Sequence, residues 1–133
     1  MTATEQKLLD AVRRLEELGS AEAIAQLLRE QGIKGYRKVS TDCPIARYLS
    51  REIDASEHGF AVAVDYEPDS AVLAGVKEVT IHLLNDWGDD EYGETIYEVI
   101  GSFVAPESVS EFVRRFDDGD FPDLALPWDQ WPA

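Results

Sequence analysis

The spacing of apolar residues predicts three helices in the first part of the chain. In Thr4–Leu18 and Ala21–Gln31, apolar side chains recur every three or four residues, the period of a helix with one buried face. The Gly-Ser pair between them is typical of a helix end followed by a helix cap. A third helix is predicted to begin at Cys43-Pro44, since proline is favoured at the first helical position. Cys43 is then the cap, with Thr41 and Asp42 as alternatives.

The pattern then changes to that of strands. Phe60–Val64 is a short β-branched run, and Val79–Leu83 alternates apolar with polar residues. We expect these two strands to pair as an antiparallel hairpin with a long loop. Residues 85–94 are predicted as an acidic turn, and residues 95–104 as a third strand, with a helix as the alternative.

A fourth helix is predicted to begin at Pro106 and to end before Gly119. Residues 121–133 carry three prolines and are predicted to be extended. Trp128 and Trp131 are expected to fold back over a hydrophobic groove, with a partner-docking peptide as the alternative. The predicted fold class is α+β. It consists of three N-terminal helices, a small antiparallel sheet of two to three strands and one C-terminal helix. The helices are expected to cover one face of the sheet.

Length and composition are typical of one globular domain. The chain has 133 residues, 44% of them hydrophobic, which suffices for a core without a disulfide or a structural metal. A single cysteine excludes an intrachain disulfide. The sequence shows neither a signal-peptide pattern nor an apolar run near the roughly 20 residues of a membrane-spanning helix. We therefore expect a cytoplasmic protein with no membrane contact and no cofactor.

The charge is unevenly distributed along the chain. Residues 1–53 carry nine basic and eight acidic residues, whereas residues 54–133 carry three basic and nineteen acidic ones. Nearly all of the net charge of −15 therefore belongs to the second part. Such a field repels nucleic acid and membrane phosphates and favours basic partners, although plain solubility is an equally good explanation of it.

The acidic segment around Trp87 is the preferred candidate for partner binding. Aromatic anchors surrounded by complementary charge are typical of tight interfaces, and Trp87 and Tyr92 could be such anchors. The segment does not follow the order of ligands in a calcium-binding loop, so no metal site is predicted. The predicted partner-binding residues are Asp86, Trp87, Asp89, Asp90, Glu91 and Glu94.

A basic cluster in residues 29–51 supports an alternative, anion-binding function. It contains six lysines and arginines against two carboxylates, with tyrosines between them. A helix-turn-helix is disfavoured because the connection between the helices has about eleven residues instead of three or four. The preferred interpretation is an electrostatic seam against the acidic part of the chain or between two copies, so a homodimer stays open. The candidate anion-binding residues are Lys34, Arg37, Lys38, Arg47 and Arg51.

Cys43 offers a second alternative, a thiol-dependent or small-ligand site. A helix N-terminus near cations can lower the pKa of a thiol. A cysteine nucleophile also needs a histidine base, and nothing in the sequence brings His58 or His82 to Cys43. A small buried residue is the preferred interpretation. Since the common catalytic motifs are missing too, we expect no enzymatic activity.

Three segments resemble small uncharacterised proteins of high-GC Gram-positive bacteria and their plasmids or phages. They are Gly32-Ile-Lys-Gly-Tyr-Arg37, Cys43-Pro-Ile-Ala-Arg-Tyr-Leu49 and the segment from Val109 to Leu124. The resemblance implies a free-standing domain of mobile or accessory gene sets, and it implies no activity. Together with the charge, it leads to the hypothesis of a non-catalytic protein that binds a basic partner, as an immunity protein binds a toxin or a DNA mimic binds a nuclease. Nucleic acid is the less favoured partner.

Overall fold

The computed structural model describes residues 2–66, 79–89, 91–92 and 95–127, and at residues 66, 86–89 and 95–97 it describes the backbone only. The elements follow one another in the predicted order, which confirms the α+β class. The helices are α1 (Ala3–Glu17), α2 (Ala21–Glu30), α3 (Pro44–Glu52) and α4 (Glu107–Asp117). The strands are β1 (Phe60–Tyr66), β2 (Val79–Asp89) and β3 (Thr95–Val104). Short 3-10 turns span Ala55–His58 and Pro122–Leu124.

Side-chain caps fix the starts of the first three helices. The predicted caps are confirmed: Ser20 Oγ accepts a hydrogen bond from Ala23 N at 3.1 Å, and Cys43 Sγ accepts one from Ala46 N at 3.4 Å. At α1 the sequence interpretation missed a capping box, in which Thr2 and Glu5 exchange hydrogen bonds. Pro106 is the N-cap of α4 and not, as predicted, its first helical residue.

The sheet is antiparallel with the order β1-β2-β3, and residues 95–104 form a strand, as favoured. β1 pairs with residues 79–85 of β2, so the predicted hairpin is confirmed. The predicted acidic turn was too long, because residues 85–89 continue β2. Asn and Asp residues favour turns, but here pairing with β3 keeps them in the strand. Two register shifts interrupt the β2–β3 ladder, one near Ile100 and one between Asp86 and Asp89.

All four helices and the sheet contribute to one hydrophobic cluster. Alternate residues of the strands, such as Val62, Ile81 and Leu83, are buried in it together with Leu15 of α1 and Phe112 of α4. The other face of the sheet carries His82 and Ser102 and is partly exposed. No helix in the described part of the chain is long and apolar enough to cross a membrane.

The described part of the C-terminal segment, residues 121–127, is only partly extended. Pro122–Leu124 forms a 3-10 turn instead, because proline suits the first position of such a turn. Ala125 then pairs in parallel with Gly35, through hydrogen bonds from Gly35 N to Leu124 O and from Leu126 N to Gly35 O. This bridge joins the C-terminal segment to the loop between α2 and α3. Trp128 and Trp131 lie outside the described residues.

Candidate partner-binding site

The end of the β2–β3 hairpin extends beyond β1. The last residue of β2 that pairs with β1 is Asn85, whereas β2 and β3 remain paired as far as Asp89 and Thr95. Residues 86–98, which we call the acidic ribbon, contain six carboxylates and neither lysine nor arginine. The described backbone of this segment, residues 86–89 and 95–97, therefore lies on two paired strands beyond the end of β1.

The described residues of the acidic ribbon are accessible to a partner. Glu91 and Glu98 are exposed, and Tyr92 has a relative exposure of 83% at the turn. The other predicted contacts lie partly or wholly outside the described residues. Asp86, Trp87 and Asp89 belong to β2 by their backbone, and nothing is described of their side chains. Asp90 and Glu94 lie outside the described residues.

Apolar side chains on β3 continue the surface of the acidic ribbon. Val99 is 58% exposed, Ile100 38% and Val104 64%. The bulge at Ile100 contributes to this, since a bulge re-aims the side chains of a strand. Sequence interpretation assigned residues 95–104 to a strand and did not single out these side chains, because it did not define which face of that strand would be exposed. The available signal was a difference between the two strands. Apolar and polar residues alternate regularly at the start of β2 and irregularly along β3.

A polar row crosses the outer face of the sheet. His82 Nδ1 lies 2.7 Å from Ser102 Oγ, and His82 Nε2 lies 3.7 Å from Asp65 Oδ2. The row joins all three strands, and the side chains of a non-hydrogen-bonded pair such as His82 and Ser102 approach closely. Its position on the exposed face of a sheet is suited to holding the strands together. Strand register, which the sequence did not define for β3, was needed to find it.

Much of the predicted anion-binding cluster holds the fold together. Arg37 Nε donates to Phe116 O at 3.0 Å and Arg37 Nη2 donates to Gly119 O at 3.3 Å, at the C-terminus of α4. The guanidinium also lies over the Phe116 ring, 5.5 Å from its centroid. Beside it, Lys38 N donates to Asp117 Oδ1 at 2.9 Å. The basic loop thus caps the end of a helix whose last carbonyls lack helical partners.

Arg47 has protein acceptors too. Its Nε lies 3.4 Å from Asp42 Oδ1, its Nη1 donates to Lys34 O at 3.1 Å, and its guanidinium lies over the Tyr36 ring. Arg47 therefore donates within the segment between α2 and α3. The contacts of Arg37 and Lys38 with the end of α4, in contrast, are of the kind that the seam interpretation expects.

Three cations of the cluster, Lys34, Lys38 and Arg51, are exposed. Arg51 lines a groove of about 520 Å³ between α3 and β1. Carboxyl-bearing residues line the same groove, namely Asp42, Asp54 and Glu57. Their charge opposes the binding of an anion beside Arg51.

Other arginines are also paired with carboxylates. A hydrogen bond from Arg115 holds the pKa of Glu22 below its ordinary value, and one from Arg29 does the same for Asp123. Both pairs join α2 to the C-terminal part of the chain. Their stabilisation is present above the ordinary pKa of a carboxyl and is lost as the pH falls through the lowered values. They are exposed, so we expect each contribution to be small.

Replacing Arg37 by alanine should lower the free energy of unfolding by about 1–2 kcal/mol, because Gly119 O loses the Arg37 donor, Phe116 O keeps only its backbone donor, and the contact of the guanidinium with the Phe116 ring is lost. Replacing the exposed Arg51 by alanine is the matched control and should cost less than about 0.5 kcal/mol. Urea denaturation followed by circular dichroism measures both. Equal effects of R37A and R51A would contradict a structural function of Arg37.

Cys43 is buried at the start of α3. Burial raises the pKa of its thiol from 9.0 to about 12, and the hydrogen bond from Ala46 N only partly opposes this. A pocket of about 210 Å³ adjoins it, lined by side chains that include Lys38, Asp65 and Asp117. The described contacts of His82 are with Asp65 and Ser102, on the outer face of the sheet. The raised pKa disfavours a thiol nucleophile.

In residues 2–66, 79–89, 91–92 and 95–127 no group of three or more potential ligands could hold a metal ion. Comparison with known proteins adds no identification. No family model matches the chain, and no curated protein or solved structure is significantly similar to it. A function can therefore be inferred only from the fold and from the surface of the described residues.

Proposed function

We propose that this is a non-catalytic interaction protein that binds a basic protein partner through the acidic ribbon. The observation that carries the proposal is that β2 and β3 stay paired beyond β1, through residues 86–89 and 95–97, in a segment whose sequence from 86 to 98 has six carboxylates and neither lysine nor arginine. A segment that packs against the core would have its charges covered, whereas a projecting hairpin can enter a groove on a partner. The proposed class includes inhibitors of toxins and mimics of DNA.

The distribution of the cations supports this proposal. Arg37 and Arg47 donate to acceptors within the fold, and Arg29 and Arg115 are paired with carboxylates. The described contacts of these four arginines lie outside the acidic ribbon. Six carboxylates in a segment without lysine or arginine would produce a strong local field, which would accelerate the encounter with a positively charged surface by about 10- to 1,000-fold at low salt.

The test compares charge reversal in the acidic ribbon with charge reversal elsewhere. The double variant D89K/D90K changes the net charge by the same amount as E16K/E17K, whose residues are exposed at the end of α1. Lysine suits that end of a helix, so the control should fold. The partner is captured from a cell extract with the wild-type protein, purified, and its association rate is measured over a range of salt concentrations.

We expect D89K/D90K to slow association by about tenfold or more at low salt and to weaken its salt dependence, because the steering charges are lost. E16K/E17K should change the rate by less than about twofold, since it lies outside the interface. Equal effects of the two variants would show that only the total charge matters. That result, or binding insensitive to salt, would refute the proposal.

A further inference from the structure

We propose that the basic partner adds a β-strand to the open edge of β3, beside the acidic ribbon. The inference rests on the proposed function, since the charge of the ribbon defines the chemistry of the added segment. It goes further in naming the edge that is used, the backbone groups that pair and the kind of segment that fits.

Near the end of β3, the backbone polar groups of Ser102 and Val104 face away from β2. Ala105 N donates to Val79 O at 2.9 Å, so the residue after β3 is directed towards β2. Backbone direction alternates along a strand, which turns Phe103 towards β2 and turns Val104 and Ser102 outward. Among the described residues, no backbone hydrogen bond from outside the sheet reaches these two.

The opposite edge of the sheet is covered. Val64 N in β1 donates to Ser40 O at 2.9 Å, so the loop before α3 pairs with that edge. Proteins commonly protect edge strands with charge, proline, a bulge or a covering segment. β3 has one charged residue, Glu98, among ten residues, and no proline. Its bulge at Ile100 leaves residues 101–104 as a regular edge, which has the properties of a site for strand addition.

The side chains of β3 define the apolar part of the segment that fits. Val99 and Val104 are exposed by 58% and 64%. An added strand would place alternate side chains beside them, where β-branched residues pack well. Covering this apolar surface would contribute free energy that charge alone does not supply.

Charge complementarity defines the rest of the occupant. The added strand would run alongside residues 95–98, at the base of the acidic ribbon, where lysine or arginine would be attracted. We therefore commit to an extended segment of the partner in which basic residues alternate with β-branched apolar residues. A second copy of this chain is the weaker candidate, because each copy has a net charge of −15 and the two repel each other.

The experiment uses the full chain and a synthetic peptide of four Lys-Val repeats with blocked ends. Its matched control is the same peptide with every amide N-methylated, which keeps the charge but removes all backbone donors. Amide hydrogen exchange of the ¹⁵N-labelled protein is measured by NMR at low salt, with and without each peptide. Affinities are obtained from the same titrations.

We expect the Lys-Val peptide to slow exchange of the Ser102 and Val104 amides by about tenfold or more. The amides of Gly101 and Phe103, which face β2, should change little. The N-methylated peptide should slow neither pair and should bind about tenfold more weakly.

The variant V104P provides an independent test on the protein itself. Proline is tolerated at an edge position whose N–H faces outward, so this change removes one pairing donor and leaves the bond from Ala105 to Val79. It should weaken binding of the Lys-Val peptide several-fold without changing the salt dependence. The thermal unfolding curve shows whether V104P is folded.

Each other outcome overturns the inference in a recognisable way. Equal, salt-dependent binding of both peptides without slower exchange in β3 would refute strand addition and leave the acidic ribbon as the site. Absence of peptide binding would refute the inference, while the charge-reversal experiment still decides the proposed function. If the Ser102 and Val104 amides become protected as the concentration of protein alone rises, the occupant is a second copy.

Discussion

Replacing Gly35 by alanine is expected to lower the free energy of unfolding by about 3 kcal/mol, because the new methyl group has no space. A Cβ at this position would lie 2.5 Å from Asp42 O, 2.6 Å from Pro44 N and 2.7 Å from the carbonyl carbon of Cys43. All three atoms belong to the backbone, so no side chain can rotate away. The loop would have to move, and with it the bridge to Ala125 and the start of α3.

Thermal and urea unfolding of G35A measure the effect, with G19A as the control. Gly19 has a positive φ of 82° and no atom within 4 Å of the added Cβ. G19A should therefore cost only the strain of a left-handed residue, about 1–2 kcal/mol. The difference between the variants isolates the steric contribution at Gly35. If G35A were as stable as the wild type, the backbone of Gly35 could not lie as close to the backbone of residues 42–44 as described.

The sequence predicted most of the helices and strands because their signals are local. The stripes of α1 and α2 and the caps Ser20 and Cys43 lie within a few residues of the structure they produce. The alternation of apolar and polar residues likewise located the start of β2, although it did not predict that the strand continues to Asp89. Asn85 and Asp86 favour turns as isolated residues, and only the pairing with β3 keeps them in the strand.

Contacts between distant residues could not be predicted in this way. Arg37 and Phe116 are separated by 79 positions, and the sequence gives no sign that one caps the helix of the other. The same is true of the pairing between Gly35 and Ala125. The charge pattern did indicate that the basic loop would face acidic residues. It could not distinguish a contact within the chain from a contact between copies, since net charge carries no direction.

The candidate site was predictable in composition but not in shape. The sequence identified the carboxylates around Trp87, whereas the register of three strands was needed to see that residues 86–89 and 95–97 continue the sheet beyond β1. The open edge of β3 depends on the same register. Val99 and Val104 become candidates for binding only when β3 is known to lie at the edge of the described sheet. The strand order therefore places the acidic ribbon and the open edge of β3 next to each other.

The Cys43 thiol is expected to react with iodoacetamide at pH 8 at least about a thousandfold more slowly in the folded protein than in urea. The thiolate is the reactive form, and burial raises the pKa from 9.0 to about 12. At pH 8 this reduces the thiolate fraction from about a tenth to about a ten-thousandth. The buried position of the sulfur protects it further.

The same shift predicts a loss of stability in alkaline solution. A raised pKa means that the folded state retains a proton that the unfolded chain releases. The contribution is fully present below pH 9, and it is lost as the pH rises from 9 towards 12. C43S, whose hydroxyl can still cap α3, should show a weaker decline over that range, because the thiol ionisation is removed.

Mass spectrometry after timed alkylation measures the reaction, and the chain has only one cysteine, so every label reports Cys43. C43S controls for alkylation at other side chains. If the folded protein reacted as fast as the unfolded chain, the thiol would be exposed and ionised, and a nucleophile at the start of α3 would again need to be considered. Slow labelling that accelerates only on unfolding would leave Cys43 with the structural function of a buried helix cap at the start of α3.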